Sequence, residues 1–149
     1  MGYYATTRET TGPIVITGDK VRPFAQEIAD TMNTTACRIN HGTLIALLEQ
    51  DDPLHLAEGI VTQLAQYGFE PIERQGDDVV IEAWWEQKMP YDWDWMWPII
   101  AKHTKSAIDW IFVGEDQEIW AECIDGDGNW TTRQVHLKID RPALMPVGS

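Results

Sequence analysis

The chain has 149 residues, and its 24 acidic and 11 basic side chains give a formal net charge of −13. Hydrophobic residues make up 44% of it, which is enough for the core of one folded domain and argues against a disordered acidic tail. The negative charge argues against direct binding of nucleic acid, because contacts to phosphates need clustered lysines and arginines.

The N-terminal part of the chain is predicted to form one strand and one helix. Residues 3–17 are rich in β-forming residues and end in the run PIVIT, which is typical of a strand. Apolar residues then recur at helical spacing over 21–32, which predicts an amphipathic helix with one buried face. Pro23 is compatible with this helix because it lies in the first turn.

Two further helices are predicted in the middle of the chain. The first is short and covers residues 43–50, with Thr43 as its N-cap. Asp52 is expected to cap a longer helix, because Pro53 then occupies the first helical position. Gly68 follows the last apolar residue of that helix and is a typical stop signal.

Beyond residue 68 the apolar pattern changes to period two, which is typical of strands. Residues 70–74 and 78–86 flank a short turn and are predicted to form a hairpin. In the second strand, Trp84 shares a face with Glu82 and Glu86. Since both faces of this strand carry large apolar groups, we expect Trp84 to pack against another element or to bind a partner.

A fourth helix is predicted to begin near Asp94 or Trp95, because Pro98 is tolerated only in a first turn, and to end near His103. The rest of the chain alternates apolar and polar residues between clear turns. Three strands are therefore expected to form a meander at residues 107–113, 118–124 and 130–139.

The elements together predict an α+β fold. We expect an antiparallel sheet of about five to six strands, with about two to four helices packed mainly on one face. The domain is expected to cover residues 1–140, and residues 141–149 to form a flexible C-terminal tail.

Most of the negative charge lies in residues 70–127, which hold fifteen acidic residues against four basic ones, a charge of −11. The same segment contains seven of the eight tryptophans. Three of them fall in apolar stripes and are expected in the core: Trp85, Trp97 and Trp110. Three fall on the more acidic faces of their elements: Trp84, Trp95 and Trp120. An exposed indole among carboxylates suits a basic protein partner, and the alternatives are an oligomer contact or cover by a neighbouring helix.

No apolar run approaches the ~18 residues of a membrane-spanning helix, and the N terminus lacks the pattern of a signal peptide. Cys37 and Cys123 lie far apart and outside any CxxC arrangement. We therefore expect a cytoplasmic protein with two reduced thiols.

Several kinds of site lack the residues they need. Residues 125–129 begin like a calcium loop, but Trp130 and His136 stand where that loop needs Gly and Glu, so an acidic hairpin turn is predicted. Cys37 and His41 form only one of the two close pairs that zinc requires. With one internal serine and no phosphate-binding glycine motif, we expect no serine triad, metal or cofactor.

Carboxylate pairs beside tryptophans are also typical of enzymes that hydrolyse sugars. The chain offers four candidates for a general acid and a general base: Glu82, Glu86, Asp92 and Asp94. With 24 acids in 149 residues, however, close pairs also arise by chance. A small carboxylate-based hydrolase is therefore the alternative to a binding protein.

Residues 108–120, IDWIFVGEDQEIW, and the opening MGYY are similar to small uncharacterised acidic proteins found in phages and bacterial mobile regions. The similarity lies in a strand–turn–strand motif and carries over no functional residues. What the resemblance implies is a context: small folded acidic phage proteins are often inhibitors of host defence enzymes. In that context the protein would act in the host cytoplasm.

These observations favour a non-enzymatic acidic protein that occupies a basic, nucleic-acid-binding site on a partner protein through its 70–127 surface, as a phage-type inhibitor would. Rows of carboxylates can take the place of phosphates in such a site. The expected contact set is Glu82, Trp84, Glu86, Asp92, Asp94, Glu115, Asp116, Glu118, Trp120 and Glu122. A third alternative is a structural accessory protein or homodimer whose exposed indoles are subunit contacts.

Overall fold

The computed structural model describes residues 3–32, 37–82, 84–89 and 93–136. The strands in these ranges are β1 (Tyr3–Thr10), β2 (Ile14–Ile16), β3 (Ile72–Gln75), β4 (Asp78–Ile81), β5 (Glu86–Met89), β6 (Ala107–Gly114), β7 (Ile119–Asp125) and β8 (Trp130–Gln134). The helices are α1 (Gly18–Thr31), α2 (His41–Leu48), α3 (Pro53–Tyr67) and α4 (Met96–Lys102), with a 3₁₀ turn at Trp93–Trp95 before α4. None of these helices is both long enough and apolar enough to cross a membrane.

The strands form two antiparallel sheets. The larger has the order β5-β1-β6-β7-β8, and the smaller has the order β2-β4-β3. The predicted α+β class is confirmed, and β6, β7 and β8 form the predicted C-terminal meander. The expected end of the domain at residue 140 and the tail at 141–149 lie outside the described residues.

Two of the predicted strands are each divided between the two sheets. The strand predicted over 3–17 consists of β1 and β2, which separate at a Gly-Pro pair because proline lacks the N–H that a ladder needs. The strand predicted over 78–86 ends early as β4, and the chain crosses to the larger sheet before β5. There the Trp85 N–H donates to Thr7 Oγ1 at 2.7 Å, and the Trp85 carbonyl accepts the Thr7 N–H at 2.7 Å.

The helices follow the predicted apolar periodicity, and one cap differs. The predicted buried face of α1 is confirmed, with Phe24 at its centre. Asp52 caps α3 as predicted, because its side chain accepts the Leu54 N–H at 3.0 Å. Helix α2 begins earlier than predicted, since Asn40 is its cap: the Asn40 side chain accepts the Thr43 N–H at 2.9 Å.

The core lies between the helices and the inner face of the five-stranded sheet, which is the face that bears Trp110 and Phe112. Trp85, Trp97 and Trp110 are fully buried there, as predicted. The ring of Phe69, just after α3, meets Trp85 and Trp97 edge-on with centroid distances of 5.6 and 6.2 Å. Trp97 in turn meets Trp110 edge-on at 5.5 Å. Contacts of this kind contribute about 0.5–1.5 kcal/mol each beyond the burial of apolar area.

Candidate functional site

Glu122 lies in the middle of β7 on the inner face of the five-stranded sheet. In the antiparallel register it stands opposite Trp110 of β6 and Thr132 of β8. Its side chain is only 2% exposed, so the exposure that the sequence pattern predicts for this contact residue is not observed. The reason is that β6 and β8 flank Glu122 on the inner face, where the indoles of Trp120 and Trp130 bond to its carboxylate.

Three side-chain donors surround the Glu122 carboxylate. The Trp120 indole N–H donates to Oε1 at 3.2 Å, and the Trp130 indole N–H donates to Oε2 at 2.6 Å. The Thr132 hydroxyl donates to Oε1 at 3.2 Å. Because a buried charge without partners costs several kcal/mol, these donors make it possible to keep a carboxylate on an otherwise apolar face.

A cavity of about 460 Å³ opens beside this carboxylate, and we call it the Glu122 groove. Two aromatic rings and three carboxylates contribute to its lining, and they belong to Tyr3, Trp120, Asp94, Glu118 and Glu122. The Tyr3 and Trp120 rings lie 6.4 Å apart between centroids. Among the described lining residues, three carboxylates stand against one Lys or Arg side chain, that of Arg133.

Tyr3 is held in the wall of the groove by Gly114 and by the turn between β6 and β7. A Cβ at Gly114 would stand 2.2 Å from the Tyr3 hydroxyl, so the close approach of the ring requires glycine there. The hydroxyl accepts the Asp116 N–H at 3.3 Å. Burial raises the pKa of Tyr3, and the interaction with the Glu118 carboxylate raises it further. The phenol therefore remains a donor at neutral pH.

A second cavity, the Trp84 groove, has a volume of about 560 Å³. The Trp84 indole lines it and is 44% exposed. Two carboxylates, Glu70 and Glu86, line the same cavity together with the apolar side chains of Pro71 and Ile72. An exposed indole and two acids therefore line the same groove.

The predicted contact residues fall into separate groups in the structure. Those that line the Glu122 groove are Asp94, Glu118, Trp120 and Glu122. Those that line the Trp84 groove are Trp84 and Glu86, and Glu82 adjoins this groove because its N–H donates to the Pro71 carbonyl at 3.0 Å. Glu115 and Asp116 are exposed in the turn between β6 and β7. Asp92 lies outside the described residues.

Three residues complete the Glu122 groove or its carboxylate site but escaped the sequence analysis: Tyr3, Trp130 and Thr132. All three lie outside the acidic segment 70–127, on which the analysis concentrated. For Trp130 and Thr132, the strand register of the predicted meander was a usable signal. A tight turn between β7 and β8 sets the residues of β8 opposite those of β7.

The segment 125–129 is the hairpin turn between β7 and β8, as predicted. The Asp125 side chain accepts the N–H of Asp127 at 2.8 Å and the N–H and side-chain amide of Asn129 at 3.0 and 2.8 Å. The side-chain bond from Asn129, followed by the backbone bonds, lowers the pKa of Asp125. Among the described residues there is no group of three or more His, Cys, Asp or Glu that could hold a metal.

The two cysteines and four carboxylates are the candidates for catalysis that the sequence offers. Cys37 and Cys123 are not bonded to each other. Burial raises the pKa of Cys123, and a hydrogen bond with Asp109 raises it further, which disfavours the nucleophilic thiolate. Of the carboxylates considered for hydrolysis, Glu86 and Asp94 line different cavities.

No protein-family model, curated protein or solved structure matches this chain. Function is therefore argued from the two grooves, in which aromatic rings and carboxylates occur together. The Glu122 groove is the more elaborate of the two, because its buried carboxylate is held by three donors from two strands.

Proposed function

We propose that the protein is a non-enzymatic acidic binding protein that receives a basic partner protein in the Glu122 groove. The observation that carries this proposal is the combination of three carboxylates and two aromatic rings in one cavity of about 460 Å³. The residues come from β1, from the 3₁₀ turn before α4 and from the segment that includes β7, so the fold gathers them from distant parts of the chain.

A groove of this composition suits the side chain of arginine or lysine. A cation over an aromatic face gains roughly 0.5–2 kcal/mol, and carboxylates at the rim add charge-assisted hydrogen bonds. Arginine fits best, because its planar guanidinium both stacks on a ring and pairs with a carboxylate. The net charge of −13 would also speed the approach of a basic protein, in a manner that salt weakens.

In a more specific form, the partner's basic site normally binds nucleic acid. This protein would occupy that site, as a phage-type inhibitor does. Glu115, Asp116 and Glu118 support this form, because they follow one another closely in the exposed turn beside the groove. Carboxylates spaced along a surface can occupy the positions that phosphates take in such a site. The Trp84 groove would then serve as a second contact, with Glu86 beside its indole.

The test uses a tetra-arginine peptide, whose binding is followed by tryptophan fluorescence at low and high salt. The double variant Asp94→Asn/Glu118→Gln should bind about five- to tenfold more weakly, since each rim charge contributes up to about 1 kcal/mol. The matched control is Asp30→Asn/Glu58→Gln, which removes the same charges from exposed positions of α1 and α3. Its affinity should stay close to that of the wild type.

Two results would contradict the proposal. Equal losses of peptide affinity in both double variants would show that overall charge alone attracts the peptide. The absence of saturable binding would show that the groove does not bind cations. Sedimentation of the same samples addresses the structural alternative: a dimer that buries the Trp84 indole would favour a subunit contact at the Trp84 groove.

A further inference from the structure

Three of the five lysines of this acidic chain line one small cavity, which we call the lysine pocket. They are Lys20, Lys102 and Lys105, and the pocket has a volume of about 230 Å³. Such a concentration is notable in a chain with a net charge of −13. None of these lysines lines the Glu122 groove or the Trp84 groove.

The pocket forms where three separate segments of the fold meet. Lys20 belongs to the first turn of α1, Lys102 and Lys105 lie at and after the end of α4, and the turn between β7 and β8 contributes Gly126 and Gly128. A Cβ at Gly126 would stand 2.9 Å from the Lys105 carbonyl oxygen, so this turn packs closely on the lysine segment. Both glycines have positive φ, at 82° and 98°.

The segment that carries Lys105 is itself anchored to β2. The Thr104 hydroxyl donates to the Val15 carbonyl at 2.6 Å, and the Val15 N–H donates to Ser106 Oγ at 3.0 Å. The Ser106 N–H also donates to Thr104 Oγ1 at 3.1 Å. The backbone around Lys105 is therefore held in place from both sides.

The carboxylates around the pocket leave two lysines without a salt bridge. Glu27 pairs with Lys102 at 3.1 Å and with His103 at 3.2 Å. No described carboxylate forms a salt bridge with Lys20 or Lys105.

Two further carboxylates adjoin these lysines. Asp127 lines the pocket itself. The Thr17 hydroxyl, which donates to Asp19 at 2.6 Å, lowers the pKa of Asp19, and the charges of Lys20 and Lys105 lower it further at longer range. Asp19 and Asp127 therefore offset part of the positive charge of Lys20 and Lys105 without forming a salt bridge with either lysine.

The start of α1 does not by itself supply the receptor groups. The Gly18 N–H already donates to the Asp78 carboxylate at 2.8 Å. The groups suited to an anion are instead the ammonium groups of Lys20 and Lys105 and the glycine backbone of the turn. A volume of about 230 Å³ is smaller than the roughly 300–1,000 Å³ of sites for drug-sized ligands, which suits one or two linked phosphate groups rather than a whole cofactor.

We propose that the lysine pocket binds the pyrophosphate group of a small ligand, with Lys20 and Lys105 as the main charge partners. Lysine is a common partner of phosphates, and it acts on them as a point charge with three donors. Asp125 already accepts the N–H groups of Asp127 and Asn129 in the turn, so the N–H groups of Gly126 and Gly128 are the ones that can add donors at short range. This site is independent of the proposed basic partner and stands even without it.

The experiment is a titration of the ¹⁵N-labelled protein with pyrophosphate, in which sodium chloride keeps the ionic strength constant. The amide resonances of Gly126 and Gly128 report on the pocket directly and should shift with saturation. In the double variant Lys20→Gln/Lys105→Gln, the dissociation constant should rise about five- to tenfold or more, because the two main charge partners of the anion are lost, although solvent screens each exposed lysine. A parallel titration with ADP distinguishes a free from a nucleotide-borne pyrophosphate, and saturation by either supports the proposal.

The control is Lys88→Gln, which removes an exposed lysine from β5 outside the pocket. It should leave the pyrophosphate affinity unchanged. Chloride that produces the same shifts as pyrophosphate, or a loss of affinity in the control as large as that in the double variant, would overturn the proposal. Because the substituted lysines are exposed, the spectra of the variants should otherwise match the wild type.

Discussion

The inner face of the five-stranded sheet has two halves that use the same residue types in different ways. In the covered half, Trp97 and Trp110 are fully buried and meet edge-on with Phe69 beside them. In the open half, Trp120 and Trp130 donate their N–H groups to the Glu122 carboxylate, and a cavity of about 460 Å³ remains. Both halves belong to one continuous run of paired strands.

The difference lies in what satisfies the indole N–H. In the covered half, the Trp110 N–H donates to the Thr7 hydroxyl at 2.8 Å, a neutral group. In the open half, two indoles converge on the carboxyl group of Glu122, which is buried and needs hydrogen-bond partners. An indole offers both a large apolar surface and one donor. The covered half uses mainly the surface, and the open half also depends on the donor.

The largest expected loss of stability follows from removing a buried ring in the covered half. Trp110→Ala should lower the free energy of unfolding by about 3–5 kcal/mol, because it leaves a large cavity among packed rings. Urea denaturation measures this loss. Trp84→Ala is the matched control, since it removes an indole that is 44% exposed, and it should change stability by less than about 1 kcal/mol. Similar losses in the two variants would contradict the proposed contrast between packed and exposed indoles.

An intermediate effect is expected in the open half. Glu122→Ala removes the acceptor of two indole N–H groups and one hydroxyl, and it should lower the free energy of unfolding by about 1–3 kcal/mol. Glu118→Ala, an exposed acid of the same groove, should stay within about 0.5 kcal/mol of the wild type. If Glu122→Ala were as stable as the wild type or more so, the three donors would not depend on the carboxylate.

The smallest effect concerns Tyr3 at the rim of the open half. Tyr3→Phe should cost about 1 kcal/mol or less, because it removes one hydroxyl that accepts the Asp116 N–H at 3.3 Å. Since the folded pKa of Tyr3 is raised above its usual value, this contribution is complete below about pH 10 and is lost as pH rises through the folded pKa. Urea denaturation at a series of alkaline pH values should show the wild-type advantage narrowing. A stability difference between wild type and Tyr3→Phe that grows with pH would contradict the raised folded pKa of Tyr3.

Local sequence patterns were sufficient for much of the fold. Helices α1 and α3 follow from apolar residues at helical spacing and from boundary residues such as Asp52 and Pro53. The meander β6-β7-β8 follows from period-two alternation between glycine-containing turns. The core positions of Trp97 and Trp110 follow from the apolar stripes that contain them. Each of these features is decided within about ten neighbouring residues.

The remaining features depend on which strands pair, and local patterns do not specify that. Alternation continues from β4 into β5, although the two strands lie in different sheets. Glu122 follows an alternating pattern like that of an exposed acid, and only its neighbours Trp110 and Thr132 place it inside. Tyr3 reaches the groove because β1 inserts between β5 and β6, a pairing across more than eighty residues of chain.

The passage of the chain between the sheets has a consequence for how the molecule comes apart. It crosses from the larger sheet to the smaller between β1 and β2, and it returns between β4 and β5. Hydrogen bonds between Thr7 and Trp85 tie the return crossing to β1. Loss of strand pairing in one sheet should therefore disturb the other. We expect the slowly exchanging amides of both sheets to lose their protection together, as a single cooperative unit.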